Sequence, residues 1–351
     1  MSQYINPKLA AMEAYIPGEQ PQDKRYIKLN TNESPYPPAK GVKKAVGESV
    51  EKLRLYSNPD ATALKTALAE LYGKKKEQIF ISNGSDEALN FAFWAFGADG
   101  ILCPDITYGF YEVFANLHGM PYELVPLKDD FSIDPADYCG KRKMVVIANP
   151  NAPTGLILSV AQIEKILQAN PDHVVLVDEA YADFGGNESC MDLVDKYPNL
   201  LCIYTFSKSR SMAGARIGYA VGNPRLIADL EKIKYSTNPF NVSAMAQAAG
   251  LAALQENDYY MENCRRIIKS REYTKKQLEK LGFTVLPAKT NFLFAKTDKM
   301  GGKELYLKLR DKGILVRHFA KPRTEDYIRI TIGSQKQMQT FVATIKEILG
   351  V

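Results

Sequence analysis

The 351-residue chain is poor in the side chains that build metal and disulfide sites. It has three histidines, His118, His173 and His318, and none stands in an HExxH pattern. Its five cysteines, Cys103, Cys139, Cys190, Cys202 and Cys264, are scattered, odd in number and never in CxxC spacing. No metal centre of His and Cys is therefore expected, and the thiols fit a reducing cytoplasm. A Cys–His nucleophile pair stays open, with no local signature behind it. No run of about 18 apolar residues occurs, so no transmembrane helix is expected. The stretch MSQYINPKLAAMEAYIPGEQ lacks a charged segment followed by an apolar one, which argues against a signal peptide. Neither GxGxxG nor a Walker A pattern is present, so a nicotinamide or nucleoside-triphosphate site has no motif support.

What is present is ordinary for a globular protein. Hydrophobic residues make up 46% and charged residues 24%, which excludes disordered and fibrous classes. The length suggests about two domains at roughly 150 residues each. The net charge of +5 comes from 45 basic residues spread among 40 acidic ones, with no basic cluster, so a nucleic-acid partner is not expected.

The order of patterns predicts an α/β fold. Residues 1–35 read as an extended N-terminal arm rich in Pro, Tyr and Asn, and helices are expected near 43–53 and 62–72. Short apolar runs then alternate with helical patterns: IFIS (79–82), ILCP (101–104), MVVIANP (144–150), VVLVDEAY (174–181), LCIYTFSKS (201–209) and IGYAVG (217–222). Such runs indicate a mostly parallel sheet with helices on both faces, over 36–255. From about 256 to 351 the texture becomes that of a smaller α+β domain. A long charged helix there ends at Gly282, and strands are expected at 291–296, 314–319 and 327–333. Ligands of such sheets sit beyond the carboxyl ends of the strands.

Polar residues cluster at those ends. Lys208 and Arg216 stand in TFSKSRSMAGARIGY, and Asp178 and Tyr181 in VVLVDEAY. Taken singly, a lysine after a strand is a solvated charge and an aspartate there is a cap. Together they match the needs of pyridoxal phosphate. A lysine condenses with its aldehyde, an aspartate pairs with its ring nitrogen, and an arginine takes its phosphate in a bidentate grip. SNGSDEALNFAF opens a helix whose N-terminal amides suit a phosphate, although Asp86 and Glu87 repel one unless they are turned aside.

The segments LNTNESPYPP, NGSDEAL, NPNAPTG, DEAY and SKSRSMAGARIGY resemble, in the same order, those of fold type I pyridoxal-phosphate-dependent aminotransferases. Within them the chain is most similar to the histidinol-phosphate aminotransferases, through its length, its arm, GILVRHF and RITIG. The resemblance implies Lys208 as the Schiff-base lysine and proton carrier, Asp178 on the pyridine nitrogen and Tyr181 on the ring oxygen. It implies Ser85, Asp86, Thr205, Ser207 and Arg216 around the phosphate, and Tyr108 stacked on the ring. Tyr56 would reach the phosphate of a neighbouring subunit, which implies a homodimer with shared sites. Arg329 and Arg317 would bind substrate carboxylate or phosphate, with Tyr15 and Asn32 closing over it. The implied reaction passes an amino group between small-molecule donors and keto acceptors in the cytoplasm, with no membrane partner. Aromatic-amino-acid aminotransferases and threonine-phosphate decarboxylases share these segments, and a non-catalytic protein retaining the fold is the alternative outside enzymes.

One position departs from the family pattern. The asparagine usual before the Pro-Thr-Gly turn is Ala152 here, and Asn151 beside it is the candidate substitute. With that donor gone, more of the ring-oxygen interaction falls on Tyr181. Tyr181→Phe should shift the absorbance titration of the cofactor-loaded chain to higher pH; an unchanged curve would contradict this assignment.

Overall fold

The computed structural model describes residues 2–10, 12, 14–186 and 189–351. Its centre is a seven-stranded sheet in the order Ile79–Ser82, Gly218–Gly222, Leu200–Thr205, Val175–Asp178, Met144–Ala148, Ile101–Pro104, Tyr122–Val125. All neighbours pair in parallel except Gly218–Gly222, which runs antiparallel to both of its neighbours. The five strands from Ile79–Ser82 to Leu200–Thr205, Tyr122–Val125 apart, are buried along their whole length, as continuous apolar runs covered on both faces require. One face carries a core that includes Leu64, Leu68, Ile163, Ile217 and Ala253; the other includes Leu89, Phe93, Tyr111 and Leu230.

A second, antiparallel sheet orders Arg317–His318, Ile328–Thr331, Phe292–Thr297 and Phe283–Val285. Its core gathers Leu293, Ile328, Ile330, Phe341 and Ile345, together with Leu29 from the arm. This is the α/β architecture with a smaller sheet domain that the patterns predict.

The structure corrects several boundaries. The helix expected over 43–53 runs Lys40–Ser49 and tightens into a 3₁₀ turn, Val50–Arg54, and a short helix, Pro7–Ala10, precedes it in the arm. The edge strand Tyr122–Val125 was not expected, because its first three residues are exposed and leave no apolar run. Helices Pro224–Thr237 and Ala244–Gln255 were likewise not singled out. The run 314–319 divides at the buried Val316: Ile314–Leu315 pairs in parallel with Ile27–Lys28, and Arg317–His318 joins the antiparallel sheet.

The long helix Asn257–Lys280 spans both cores, with Tyr260 in one and Ile267 and Leu278 in the other. Its buried Arg271 donates from Nη1 to the carbonyls of Phe184 (3.1 Å) and Thr290 (2.8 Å), tying the turn after strand Val175–Asp178 to the small sheet. Arg271→Met keeps the aliphatic stem but leaves two buried carbonyls without donors. Urea unfolding should show a loss of about 3 kcal/mol; a loss within experimental error would mean that these bonds do not hold the halves together.

Candidate active site

Three strand ends of the central sheet and the N-terminal arm converge on one cleft. Asp178 closes its strand fully buried. Its carboxylate accepts the hydroxyl of Tyr111 (2.8 Å) and the backbone N–H of Ala180 (3.2 Å). Burial pushes this carboxyl up to about 6, against the pull of Tyr111 and Ala180. An acid held so dry without a cationic partner is suited to a ligand that brings a protonated nitrogen.

Lys208 follows strand Leu200–Thr205 and is half-buried. Its Nζ lies 3.4 Å from the carbonyl of Thr31 and 5.8 Å from the ring centre of Tyr181. The Tyr181 ring stands edge-on to Phe292 at 5.2 Å, and its hydroxyl accepts the side-chain amide of Asn32 (2.9 Å).

The helix Ser85–Phe96 begins beside Arg216. Gly84, at φ 77°, lies so close that a Cβ there would stand 2.5 Å from Arg216 Nη2, and one on Gly218 would stand 2.3 Å from the Ser85 nitrogen. The two glycines thus bring a helix N-terminus and a guanidinium together, a combination suited to a phosphate. Arg216 Nη1 is 3.5 Å from Ser207 Oγ, and Thr205 Oγ1 accepts the Ser207 N–H (3.1 Å). The acidic pair is accounted for. Asp86 accepts Arg216 Nη2 (3.2 Å) and the Tyr108 hydroxyl (2.9 Å), while Glu87 turns back to the Asn83 N–H (2.7 Å). Burial and Asp86 hold the Tyr108 hydroxyl well above its usual range, so it stays a donor. Its ring lies edge-on to Tyr111 at 5.6 Å.

Arg329 lies on strand Ile328–Thr331, donates from Nη2 to the Asn30 carbonyl (3.0 Å), and packs over Phe292 and Phe319. Its buried Nε has no partner among the described residues, and burial pulls its pKa down. A guanidinium with a spare buried donor suits an anionic ligand. Arg317 donates to the carbonyls of Ile16 (3.3 Å) and Pro17 (3.4 Å), and Tyr15 packs on Phe110 at 4.3 Å. The arm therefore lies over this end of the cleft.

Three expected residues sit differently. Asn151 is turned into its own loop: its amide donates to the Ile106 carbonyl (2.9 Å) and Thr154 Oγ1 (3.0 Å), and its oxygen accepts Thr107 Oγ1 (2.8 Å). With those bonds made it holds the loop. Asn32 is buried and bonded to Tyr181 and Thr331, whereas the resemblance implies that it closes over the substrate. Tyr56 is 84% exposed, stacks on Phe240 at 4.5 Å, and joins nothing in this cluster. Tyr111 was not singled out. It lies three residues beyond Tyr108 in DITYGFYEVF, and only the helix Phe110–His118 aims it at Asp178.

The raised Asp178 value carries a consequence for the cofactor-free chain. The native state holds this proton more tightly than the unfolded state, so the stabilisation is complete below about pH 4 and is lost as pH rises through about 6. Relative to Asp178→Asn, the wild type should therefore lose up to about 3 kcal/mol of unfolding free energy across that window. Denaturant titrations at a series of pH values measure this, and a pH-independent difference would contradict it.

The chain resembles known proteins along nearly its whole length. The model of the aminotransferase class I and II family matches residues 24–345. The histidinol-phosphate aminotransferase of Brachyspira hyodysenteriae is 49% identical over 352 residues, covering 99% of both chains, and that of Marinomonas sp. is 48% identical with the same coverage. In fold, the chain is similar to the Sinorhizobium meliloti histidinol-phosphate aminotransferase solved in complex with pyridoxal-5'-phosphate. The TM-score is 0.89 at 24% identity, covering 100% of this chain and 98% of that one. It is also similar to the L-threonine-O-3-phosphate decarboxylase of Porphyromonas gingivalis, with a TM-score of 0.80 at 24% identity, covering 93% and 100%. Fold similarity alone thus spans both chemistries, whereas full-length sequence identity favours one. The chain belongs to the class I and II aminotransferases.

Proposed function

We propose that the chain transfers an amino group between L-histidinol phosphate and 2-oxoglutarate, yielding imidazole acetol phosphate and glutamate, with pyridoxal phosphate as cofactor. The observation that carries this reading is the convergence of Lys208, Asp178 and Arg216, with the unpaired Nε of Arg329 close to Tyr181 and Tyr108. The choice of substrate follows the near-full-length relatives.

The residues present fit the cofactor. The two glycines let the Ser85 amide and the Arg216 guanidinium come together, as a phosphate requires, and the dry Asp178 awaits a cationic nitrogen. When bound, pyridoxal phosphate supplies an aldehyde carbon that takes up the amino group and a ring that accepts electron density. Ser85, Ser207 and Arg216 hold the phosphate, with Asp86 fixing the guanidinium and Thr205 fixing Ser207. Asp178 would keep the ring nitrogen protonated, its carboxylate oriented by Tyr111. Tyr181 would donate its hydroxyl proton to the ring oxygen, and Tyr108 would cover the ring. Lys208 Nζ, which faces the Thr31 carbonyl and the Tyr181 ring, would condense with that aldehyde carbon and hold the proton of the substrate carbon. Arg329 and Arg317 bind the phosphate of one substrate and a carboxylate of the other, and the Tyr15 segment shields this end from water.

Residues 36–255 form the cofactor-holding unit, and 1–35 with 256–351 the smaller one. The exposed Tyr56 and Phe240, close in sequence or space to the exposed Leu53 and Leu55, favour a homodimer in which Tyr56 serves the partner's site. No described helix is long and apolar enough to cross a membrane, and the cysteines, all free, favour the cytoplasm.

An amino-transfer assay with purified chain tests the reading. Histidinol phosphate with 2-oxoglutarate should give the highest kcat/KM, and Lys208→Ala should lower kcat by at least roughly 10²-fold. A preference for phenylalanine, or carbon dioxide release from threonine phosphate, would overturn the substrate assignment.

A further inference from the structure

Asn32 is fully buried and takes the left-handed backbone conformation, φ 57°. Three bonds hold it there. Its N–H donates to Thr331 Oγ1 (2.9 Å), its carbonyl accepts the amide of Asn291 (2.9 Å), and its Oδ1 accepts Thr331 Oγ1 (3.0 Å). Thr331 Oγ1 receives the Asn32 N–H and gives its own proton to Oδ1. Nδ2 is then left to face Tyr181, and it donates to that hydroxyl at 2.9 Å.

That bond occupies the acceptor side of the Tyr181 oxygen. Among the described residues no acceptor stands within bonding distance of the Tyr181 proton, which is therefore available to the cleft. Donation into a hydroxyl also strengthens it as a donor. The charged groups around Tyr181 are Lys208, 5.8 Å from its ring centre, and Arg329; across Lys208 the arm carries Glu33, which is itself held by Lys28. At the position where the family pattern has a second donor, this chain has the buried Ala152, and the neighbouring Asn151 is spent on its own loop.

We propose that Asn32 is a positioning residue for the reaction: through Tyr181 it supplies the polarised donor to the cofactor's ring oxygen that Ala152 cannot. The inference rests on the cofactor reading above. A donor on the ring oxygen stabilises its negative charge and so lowers the proton affinity of the adjacent nitrogen that joins the cofactor to Lys208. Weakening the donor raises it.

The test is the pH titration of visible absorbance in the cofactor-loaded protein. Asn32→Gly removes the amide while accepting the φ of 57° without strain. It should move the midpoint up by roughly half to one pH unit. In a Tyr181→Phe background the same change should move it no further, an outcome that a merely structural role for Asn32 would not produce. Asn32→Asp, which keeps the shape and the Thr331 bond, reverses the partnership by accepting the Tyr181 proton. Its shift should be larger with Tyr181 present than in the Tyr181→Phe background. An unmoved midpoint in both Asn32 variants, or equal shifts in the two backgrounds, would overturn the inference alone. A wild-type chain that stays colourless with added pyridoxal phosphate would overturn the proposed function and this inference with it.

Discussion

The cleft depends on four consecutive arm residues, Leu29 to Asn32, being held between two cores. Leu29 is buried in the core of the small sheet, its N–H bonds the Leu315 carbonyl (2.8 Å), and its carbonyl receives the Thr331 N–H (2.9 Å). Backbone groups this deep must be paired, so the segment cannot slide without leaving several of them without partners. The next three residues then meet the site in turn. The Asn30 carbonyl takes Arg329, the Thr31 carbonyl takes Lys208, and the Asn32 amide takes Tyr181. Groups from two sheets are thereby referenced to one strand of backbone.

Charge in the cleft follows the same economy of placement. Each acidic group is given a defined partner. Asp86 fixes Arg216, Glu87 closes the turn before its own helix, and Asp178 is held by neutral donors alone. The basic groups are left with spare capacity, most plainly Arg329 Nε. The net surplus of positive charge thus includes the guanidinium of Arg329, which keeps a buried donor unpaired among the described residues, while pairs such as Lys312–Glu347 and Lys308–Glu304 lie on the surface.

Much of the fold was legible because buried parallel strands announce themselves as unbroken apolar runs. Ile79–Ser82, Ile101–Pro104 and Val175–Asp178 lie within or at the edges of the runs read from sequence. Tyr122–Val125 was hidden because an edge strand with an exposed face lacks such a run. The division at Val316 was hidden because one apolar stretch serves two sheets, and pairing partners come from distant sequence. In the site, Lys208, Asp178, Ser85 and Arg216 were readable as polar residues just past strands or opening a helix.

What sequence alone determined was the inventory and its order: which chemistry-bearing residues follow which strand, and the absence of His/Cys ligand patterns. The tertiary structure decided how each side chain is spent. Asn151 and Asn32 are the same residue type in similar loop surroundings, yet one is consumed by its own turn and the other reaches Tyr181. Tyr108 and Tyr111 stand three apart, yet one meets Asp86 and the other Asp178. The reason is physical. A hydrogen bond depends on angle and distance within tenths of an ångström, and these are set by packing between segments far apart in the chain, which local pattern does not encode.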